Sequence, residues 1–415
     1  MPQRVIVVGA GAAGLMAAGR AAEQGAATLL VEATQQLGTK LSLAGGGRGN
    51  VAADLDVEAC LAHYSPAGLF LRNSLSRWGV PQLRQFLARI GVPTKVDGQQ
   101  RVYPVSERAL DLVEALVAYA KSQGVELLTG WRCSQVLVER ERVRGVRAAD
   151  GRALEGDAVI LATGGVTYPQ TGSRGDGLHM AQLMGHTVSE PRPGLVSLEV
   201  SDARVAGLAG VSLPWVILRA TRRDGSLAET SGPLLFTHRG VSGPAALDLS
   251  VRIARDLGEG EIVAEMDIRP SLATDVETHV AEQRGRQGAR SVRNVIGGLM
   301  PRRLAMALLE GCDVDPNTQV AQLGTPELDA LVRRLRAWPL CITGTGPLRS
   351  AMVTVGGVST SEVNPRTMAS RRSEGLYLCG ELLDVAGGTG GFNLLMAFST
   401  GWVAGESAAR AVGRR

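Results

Sequence analysis

The stretch Arg4-Val5-Ile6-Val7-Val8-Gly9-Ala10-Gly11-Ala12-Ala13-Gly14 decides how the chain is read. Val5–Val8 is a short β-branched apolar run, the pattern of a parallel strand covered on both faces. Three glycines follow at once with GxGxxG spacing, and Leu15–Gln24 is Ala-rich and favours a helix. A second apolar strand, Ala27–Val31, ends at Glu32, 18 residues beyond Gly14. Each part has a physical task. Gly9 permits the tight turn, Gly11 lets backbone approach a pyrophosphate, and Gly14 lets helix and strand pack closely. Ala12 and Ala13 open the helix, where free N–H groups and the dipole favour an anion. Glu32, with Ala33 beside it, is placed to accept hydrogen bonds from a ribose diol. Strand, glycines, helix, strand and acid in this order point to a dinucleotide site.

Working outward, Leu37-Gly38-Thr39-Lys40 and Ala44-Gly45-Gly46-Gly47-Arg48-Gly49-Asn50 cannot pack a core but can wrap an extended cofactor. Lys40, Gly46, Gly47, Arg48 and Asn50 are the candidate contacts there. A further strand runs from Ala158 into Ala162-Thr163-Gly164-Gly165, an ATGG pattern that returns to the cofactor. Val136, on an expected strand Cys133–Glu139, is another candidate contact. Gly375–Glu381 reads as a strand whose Gly380 and terminal acid Glu381 meet a ribityl hydroxyl. Gly387–Asn393 then opens a helix expected over Leu394–Ala411, with Gly390, Gly391, Phe392 and Asn393 at its start. A helix N-terminus aimed at the N1–C2=O edge of a flavin stabilises the charge of the reduced ring. Contacts spread along the whole chain suit FAD far better than NAD.

The rest of the composition narrows the class. At ~150 residues per domain, 415 residues correspond to two or three domains. With 45% hydrophobic and 20% charged residues, the chain is neither disordered nor fibrous. Net charge is 44 − 40 = +4, too small to imply a polyanionic partner, and 4% aromatics leave few base-stacking platforms. Five widely spaced cysteines without a CxxC argue against disulfides and a thioredoxin-like pair. Cys60 and His63 have ligand-like spacing, but no second pair accompanies them, so no metal site is expected. Val5–Ala22 resembles a signal peptide only superficially, because Gly9, Gly11, Gly14 and Gly19 interrupt it. No apolar run reaches membrane-spanning length, and the protein is expected to be cytoplasmic.

Several stretches together resemble a known family: Val5–Gly14, Ser42–Asn50, Arg101-Val102-Tyr103-Pro104-Val105-Ser106, Leu161–Gly177, Leu235–Pro244, Val353–Val358 and Glu374–Gly405. The chain resembles the bacterial NAD(P)/FAD-dependent oxidoreductases, with aminoacetone-oxidase-like and bile-acid-reductase-like members. The resemblance implies an α/β fold. A Rossmann-like FAD-binding domain is built from two chain segments and interrupted by a β-barrel-like insert with a helical appendix. The expected segments are 1–192 and 346–415 for the FAD domain and 193–345 for the insert, β-rich over 193–270 and helical over 271–337. Departures are visible. The family carries a cysteine where this chain has Gly49, Phe392 stands where tyrosine is common, and Leu395-Met396 replaces a more polar pair.

The pattern along the chain agrees independently with that division. Residues 1–190 alternate strands and helices, including an amphipathic helix expected from Glu107 to Gln123. Pro191-Arg192-Pro193-Gly194 reads as a break, and short strands follow over 195–269. Helical patterns occupy Ser271–Ala337, where Arg284, Arg286, Arg290, Arg293, Arg302 and Arg303 concentrate. That interval lacks aromatics between its arginines, which favours a solvated face over nucleic acid.

A flavin performs its own redox chemistry while the protein orients the substrate. Arg48 could hold a carboxylate or sense flavin charge, Tyr168 could donate to a carbonyl, and His238 could act as acid or base. Asp176, between Gly175 and Gly177, reads as a helix N-cap. No second GxGxxG follows a strand, so NAD(P)H would bind transiently, without a Rossmann fold of its own. Two reactions on a small-molecule substrate stay open: reduction of a C=C or C=O bond fed by NAD(P)H, and oxidation of an amine-type donor by O2. An FAD-dependent RNA-modifying enzyme and a non-catalytic flavin module are the readings from other classes. Oligomeric state is not legible.

Overall fold

Val5–Val8 offers water no polar side chain, and Arg4–Val8 is the middle strand of a five-stranded parallel sheet. The computed structural model describes residues 4–413. The sheet order is Leu376–Leu378, Ala158–Leu161, Arg4–Val8, Ala27–Val31, Glu126–Leu128. Val5 pairs with Ala158 and Thr28, and Val159 with Leu376, so the strand near the end of the chain joins the edge of a sheet begun at its start.

Helix Ala12–Glu23 buries an alanine-rich face against the C-terminal helix Phe392–Val412. Two glycines make that contact possible. A Cβ on Gly401 would lie 2.4 Å from the Ala13 carbonyl oxygen, and one on Gly405 would lie 2.3 Å from that of Ala17. The pairs 13/401 and 17/405 advance together, so the two helices run parallel. The C-terminal helix begins two residues before the expected Leu394. Helix Ala109–Ser122 starts later than the expected Glu107, because Glu107 has φ +52°, a left-handed backbone that no α-helix accommodates.

The residues from 4 to 193 and from 348 to 413 form one compact unit, and Gly194–Pro347 form a second. In the first, the expected strand Cys133–Glu139 pairs with Arg142–Ala148, which in turn pairs with Ala153–Glu155. Pro191–Gly194 ends strand Val188–Gly194, paired with Val353–Val358, and the division between the two units falls there, after Pro193.

The second unit contains a closed barrel in the order Leu198–Val200, Gly240–Ser242, Leu227–Thr237, Ser212–Thr221, Ile262–Asp267, Trp338–Thr345. Closure removes the unpaired edges that promote association. Residues 227–236 alternate strictly between exposed and buried positions, and Phe236 and Trp338 are among the largest fully buried side chains of the chain. Helix Pro244–Leu257 corrects the all-strand reading of 195–269. Proline at its first position is pre-set for a helix, and Ala245, Ala246, Leu249 and Ile253 bury one face. Helices Val276–Gln287, Val292–Ile296, Arg302–Glu310 and Thr325–Arg336 fill the expected helical interval. Among the described residues, no helix is long and apolar enough to cross a membrane.

Candidate functional site

The three glycines after the first strand divide their tasks. Gly9 has φ +100°, and a Cβ there would lie 2.7 Å from the Ala162 carbonyl oxygen; one on Gly14 would lie 1.7 Å from that of Gly9. Both positions are closed by backbone, with Ala162 and Thr163 forming the wall. A Cβ on Gly11, the N-cap of helix Ala12–Glu23, would meet nothing within 4 Å. The sequence therefore keeps glycine at Gly9 and Gly14 for packing and at Gly11 for an approach from outside.

Glu32 borders this loop. Its Oε2 accepts from the Ala10 N–H at 2.8 Å, and its Oε1 accepts from the Thr34 N–H at 2.9 Å and hydroxyl at 3.0 Å. The adjacent Ala33 is exposed.

Glu381 is more heavily engaged than a free ribityl acceptor would be. Lys40 Nζ donates to its Oε2 at 2.5 Å, while the Thr354 N–H at 2.8 Å and the Thr167 hydroxyl at 3.2 Å reach Oε1. Lys40 also donates to Thr167 Oγ1 at 2.7 Å. One half-buried carboxylate thus ties together four separate segments. Thr167 and Thr354 were not singled out in the sequence, although both lie in the marked stretches Leu161–Gly177 and Val353–Val358, because their common partner Glu381 is 214 and 27 residues away.

The start of the C-terminal helix is built against the second glycine loop. Gly390 and Gly391 are left-handed, with φ +118° and +95°. A Cβ on Gly391 would lie 2.5 Å from the Ala52 nitrogen and 2.8 Å from Asn50 Oδ1. Asn50 is buried, and its Oδ1 has no hydrogen-bond donor among the described residues. Asn393 closes the loop on itself: its Oδ1 accepts from the Gly387 N–H and its Nδ2 donates to the Gly387 carbonyl, both at 2.8 Å. Phe392 is buried, stacks on the His63 ring at 4.2 Å, and accepts at its carbonyl from the Tyr64 hydroxyl at 2.8 Å. His63 and Tyr64 were missed in the sequence, being more than 300 residues from this partner.

The parallel packing of the two helices sets the scale of the site. Nine residues precede Gly401 in its helix and one precedes Ala13 in the other. At ~1.5 Å per residue the C-terminal helix therefore starts about 12 Å further along the same direction. Two positive helix ends facing one way, staggered by that length, match an extended cofactor with phosphates at one point and an electron-rich ring at the other. Together with the open face of Gly11 and the donor-less oxygen of Asn50, the residues fit FAD.

Of the catalytic candidates, Arg48 and Tyr168 belong to the first unit and His238 to the second. Arg48 is exposed and bound to Glu107 at 2.7 Å, so the carboxylate it holds is the protein's own. Tyr168 is half-buried with a left-handed backbone, φ +52°. His238 is exposed and belongs to the second unit. Val136 is buried in strand Cys133–Glu139. Gly46 and Gly47 are left-handed and exposed, and Gly164 is left-handed with Ser173 Oγ at 3.0 Å from its would-be Cβ. Gly380, with φ +71°, would place a Cβ 2.8 Å from that of Ala13, bringing the strand end to the first helix. Asp176 is not a cap: Gly175 caps helix Asp176–Leu183, and Asp176 instead takes two hydrogen bonds from Arg132. Among the described residues no three metal-binding side chains gather, Cys60 and His63 included.

Comparison with known proteins follows from this geometry. The model of the HI0933-like protein Rossmann domain family matches residues 3–407. The 3-dehydro-bile acid delta(4,6)-reductase of Clostridium scindens is 34% identical over 98% of this chain and 99% of its own. The ribosomal RNA dihydrouridine synthase of Escherichia coli is 30% identical over 97% and 96%. Among solved structures, the 3-ketosteroid-delta4-(5alpha)-dehydrogenase of Rhodococcus jostii shares the fold, with a TM-score of 0.54 at 18% identity, covering 98% of this chain and 97% of that one.

Proposed function

Since the chain belongs to the HI0933-like Rossmann domain family, we propose that it is an FAD-dependent oxidoreductase that saturates a carbon–carbon double bond, fed by NAD(P)H. The observation that carries this reading is the near full-length relation to a delta(4,6)-reductase. The dihydrouridine synthase, by its name, also yields a saturated ring, so the shared chemistry is reduction of C=C in an unsaturated ring.

FAD bound here would supply two-electron transfer between donor and substrate. The chain's own residues do the rest. Ala12 and Ala13 N–H groups at the open face of Gly11 would hold the pyrophosphate, and Glu32 would take the ribose hydroxyls. Lys40 and Glu381 fix the ribityl region. Asn50 Oδ1 would accept from a ring N–H, and the helix start at Gly391–Asn393 would favour negative charge on the ring. Tyr168 would donate to a substrate carbonyl conjugated with the double bond and so orient the bond to be reduced.

A second reading takes a uridine within RNA as the substrate. It is supported by the dihydrouridine synthase relative and by exposed Arg286, Arg290, Arg293 and Arg302 on the helical part of the second unit. Such binding must weaken steeply with salt.

The test is anaerobic titration of the yellow protein with NADPH and NADH, followed by addition of a 4-en-3-one steroid or of unmodified ribosomal RNA. Bleaching by nicotinamide and reoxidation by one of these acceptors is the expected result. Failure of both nicotinamides to bleach, with amines bleaching instead and peroxide forming under air, would overturn the reductase reading.

A further inference from the structure

Arg48 and Lys95 both point at one carboxylate. Glu107 Oε2 accepts from Arg48 Nε at 2.7 Å, and Glu107 Oε1 lies 2.6 Å from Lys95 Nζ. The cations sit on a firm frame. Arg48 lies over the buried Tyr103 ring, 4.3 Å from its centroid, and Lys95 is the direct strand partner of Tyr103. Stacking on an aromatic face holds a guanidinium in place without its carboxylate.

Glu107 is held differently. It follows the exposed turn Val105-Ser106, and its φ of +52° is a conformation that a residue with a Cβ occupies at a cost. All three side chains are well exposed, at 47%, 45% and 36% for Arg48, Lys95 and Glu107. Ion pairs that exposed contribute little to stability and exchange readily. The arginine and lysine beside it hold the Glu107 carboxyl at about 2, so it stays charged throughout the physiological range. Asp97 is the further charged group acting on Arg48, and Arg101 in turn acts on Asp97.

The position matters as much as the charge. Arg48 lies two residues from Asn50, which abuts Gly391 at the start of the C-terminal helix. Arg48 therefore lies within two residues of the proposed ring site, and Lys95 joins it through Glu107.

We propose that Arg48 and Lys95 form a carboxylate-recognition pair for the substrate, with Glu107 as an internal stand-in that an anionic substrate displaces. The inference rests on the reductase reading and adds that the reducible molecule carries a carboxylate remote from its double bond. No bond is made or broken; one carboxylate exchanges for another on the same two cations.

The experiment titrates the FAD-loaded protein with glutarate at low salt, by calorimetry, with glutaramide as the uncharged control. Two variants remove the stand-in: Glu107→Gln, and Glu107→Asn, which also suits a left-handed backbone and so preserves the fold. The expected result is saturable glutarate binding at least ~10-fold tighter in both variants than in the native protein, and lost in Arg48→Gln and Lys95→Gln. Equal affinity with and without Glu107, binding retained without Arg48, or glutaramide binding as well as glutarate would each overturn it. Binding is read without turnover. Reduction of a neutral enone by a protein that ignores glutarate would therefore sink this inference alone, leaving the reductase reading standing.

Discussion

Gly14 stands so close to Gly9 that a Cβ on the first would penetrate the carbonyl oxygen of the second, at 1.7 Å. Gly11, between them in sequence, has no such neighbour. The two positions therefore separate folding from cofactor binding. Gly14→Ala should destabilise the chain by ~3 kcal/mol or more, because the obstacle is backbone that cannot step aside. Gly11→Val should leave thermal unfolding of the FAD-free protein nearly unchanged yet weaken FAD by ~100-fold, or ~2.7 kcal/mol. Normal flavin content in purified Gly11→Val protein would refute the placement of the pyrophosphate.

Lys40→Met removes a donor from two partners, Glu381 and Thr167. Glu381 would keep the Thr354 N–H and the Thr167 hydroxyl but lose its only countercharge in that cluster. A loss of about 1–3 kcal/mol is expected for a hydrogen bond to a charged group in a half-buried place. Fluorescence titration of apoprotein with FAD should show roughly tenfold weaker binding. An unchanged affinity would show that the Lys40–Glu381 pair serves packing alone.

Acid should loosen the first unit through His186 and Glu362, whose Nδ1 and Oε2 lie 3.3 Å apart. Burial pushes the His186 imidazole below its ordinary value, with the neighbouring Glu362 opposing that shift. Burial also works against the charge of Glu362, but Arg372 and the Thr187 N–H and hydroxyl outweigh it and hold the carboxyl at about 2. The unfolded chain therefore binds protons on both groups more readily. Stability should be full above roughly pH 6.5 and fall as pH drops through the unfolded values of histidine and then glutamate toward pH 2. Calorimetric Tm against pH checks this, and Glu362→Gln should flatten the curve below about pH 4.3. A Tm that holds steady from pH 7 to 4 would contradict it.

Tyr64→Phe deletes one hydroxyl, the donor to the Phe392 carbonyl. The expected cost is ~1 kcal/mol. Phe392→Ala empties a buried site against both His63 and Tyr64 and should cost ~3–5 kcal/mol. Chemical denaturation of both variants tests the ranking. A reversed order would mean that the ring contributes less than its hydrogen-bonded backbone.

Elements whose signal is local were readable from the sequence. The first strand, its glycines and the following helix announce themselves within eleven to twenty residues, because turn, burial and helix propensity all act at short range. The barrel region was legible as short strands over 195–269, but the length of Leu227–Thr237, an eleven-residue strand, was not. Helix Pro244–Leu257 was hidden because Gly243-Pro244 looks like the end of a strand rather than the start of a helix. The site was legible in its backbone and obscure in its side chains. Glu381 was marked as an acceptor, but its partners come from Lys40, 341 residues earlier, and from Thr167 and Thr354. Arg48 was marked as a carboxylate holder, and the carboxylate proved to be that of Glu107, fifty-nine residues on. Pairings of that kind arise only after packing has brought the segments together.

The parallel contact of Gly401 and Gly405 with Ala13 and Ala17 has a consequence for the order of synthesis. Ribosomes deliver helix Ala12–Glu23 early, whereas helix Phe392–Val412 that covers it, and strand Leu376–Leu378 that completes the sheet edge, emerge only after the whole barrel unit has been made. For most of translation the alanine face of the first helix and one edge of the central sheet lie bare. The barrel unit can fold during that interval, since its own apolar cluster draws on residues 198–342 alone. The flavin unit cannot. It is a late-closing partner on the nascent chain, and its uncovered face is where a chaperone would be needed most.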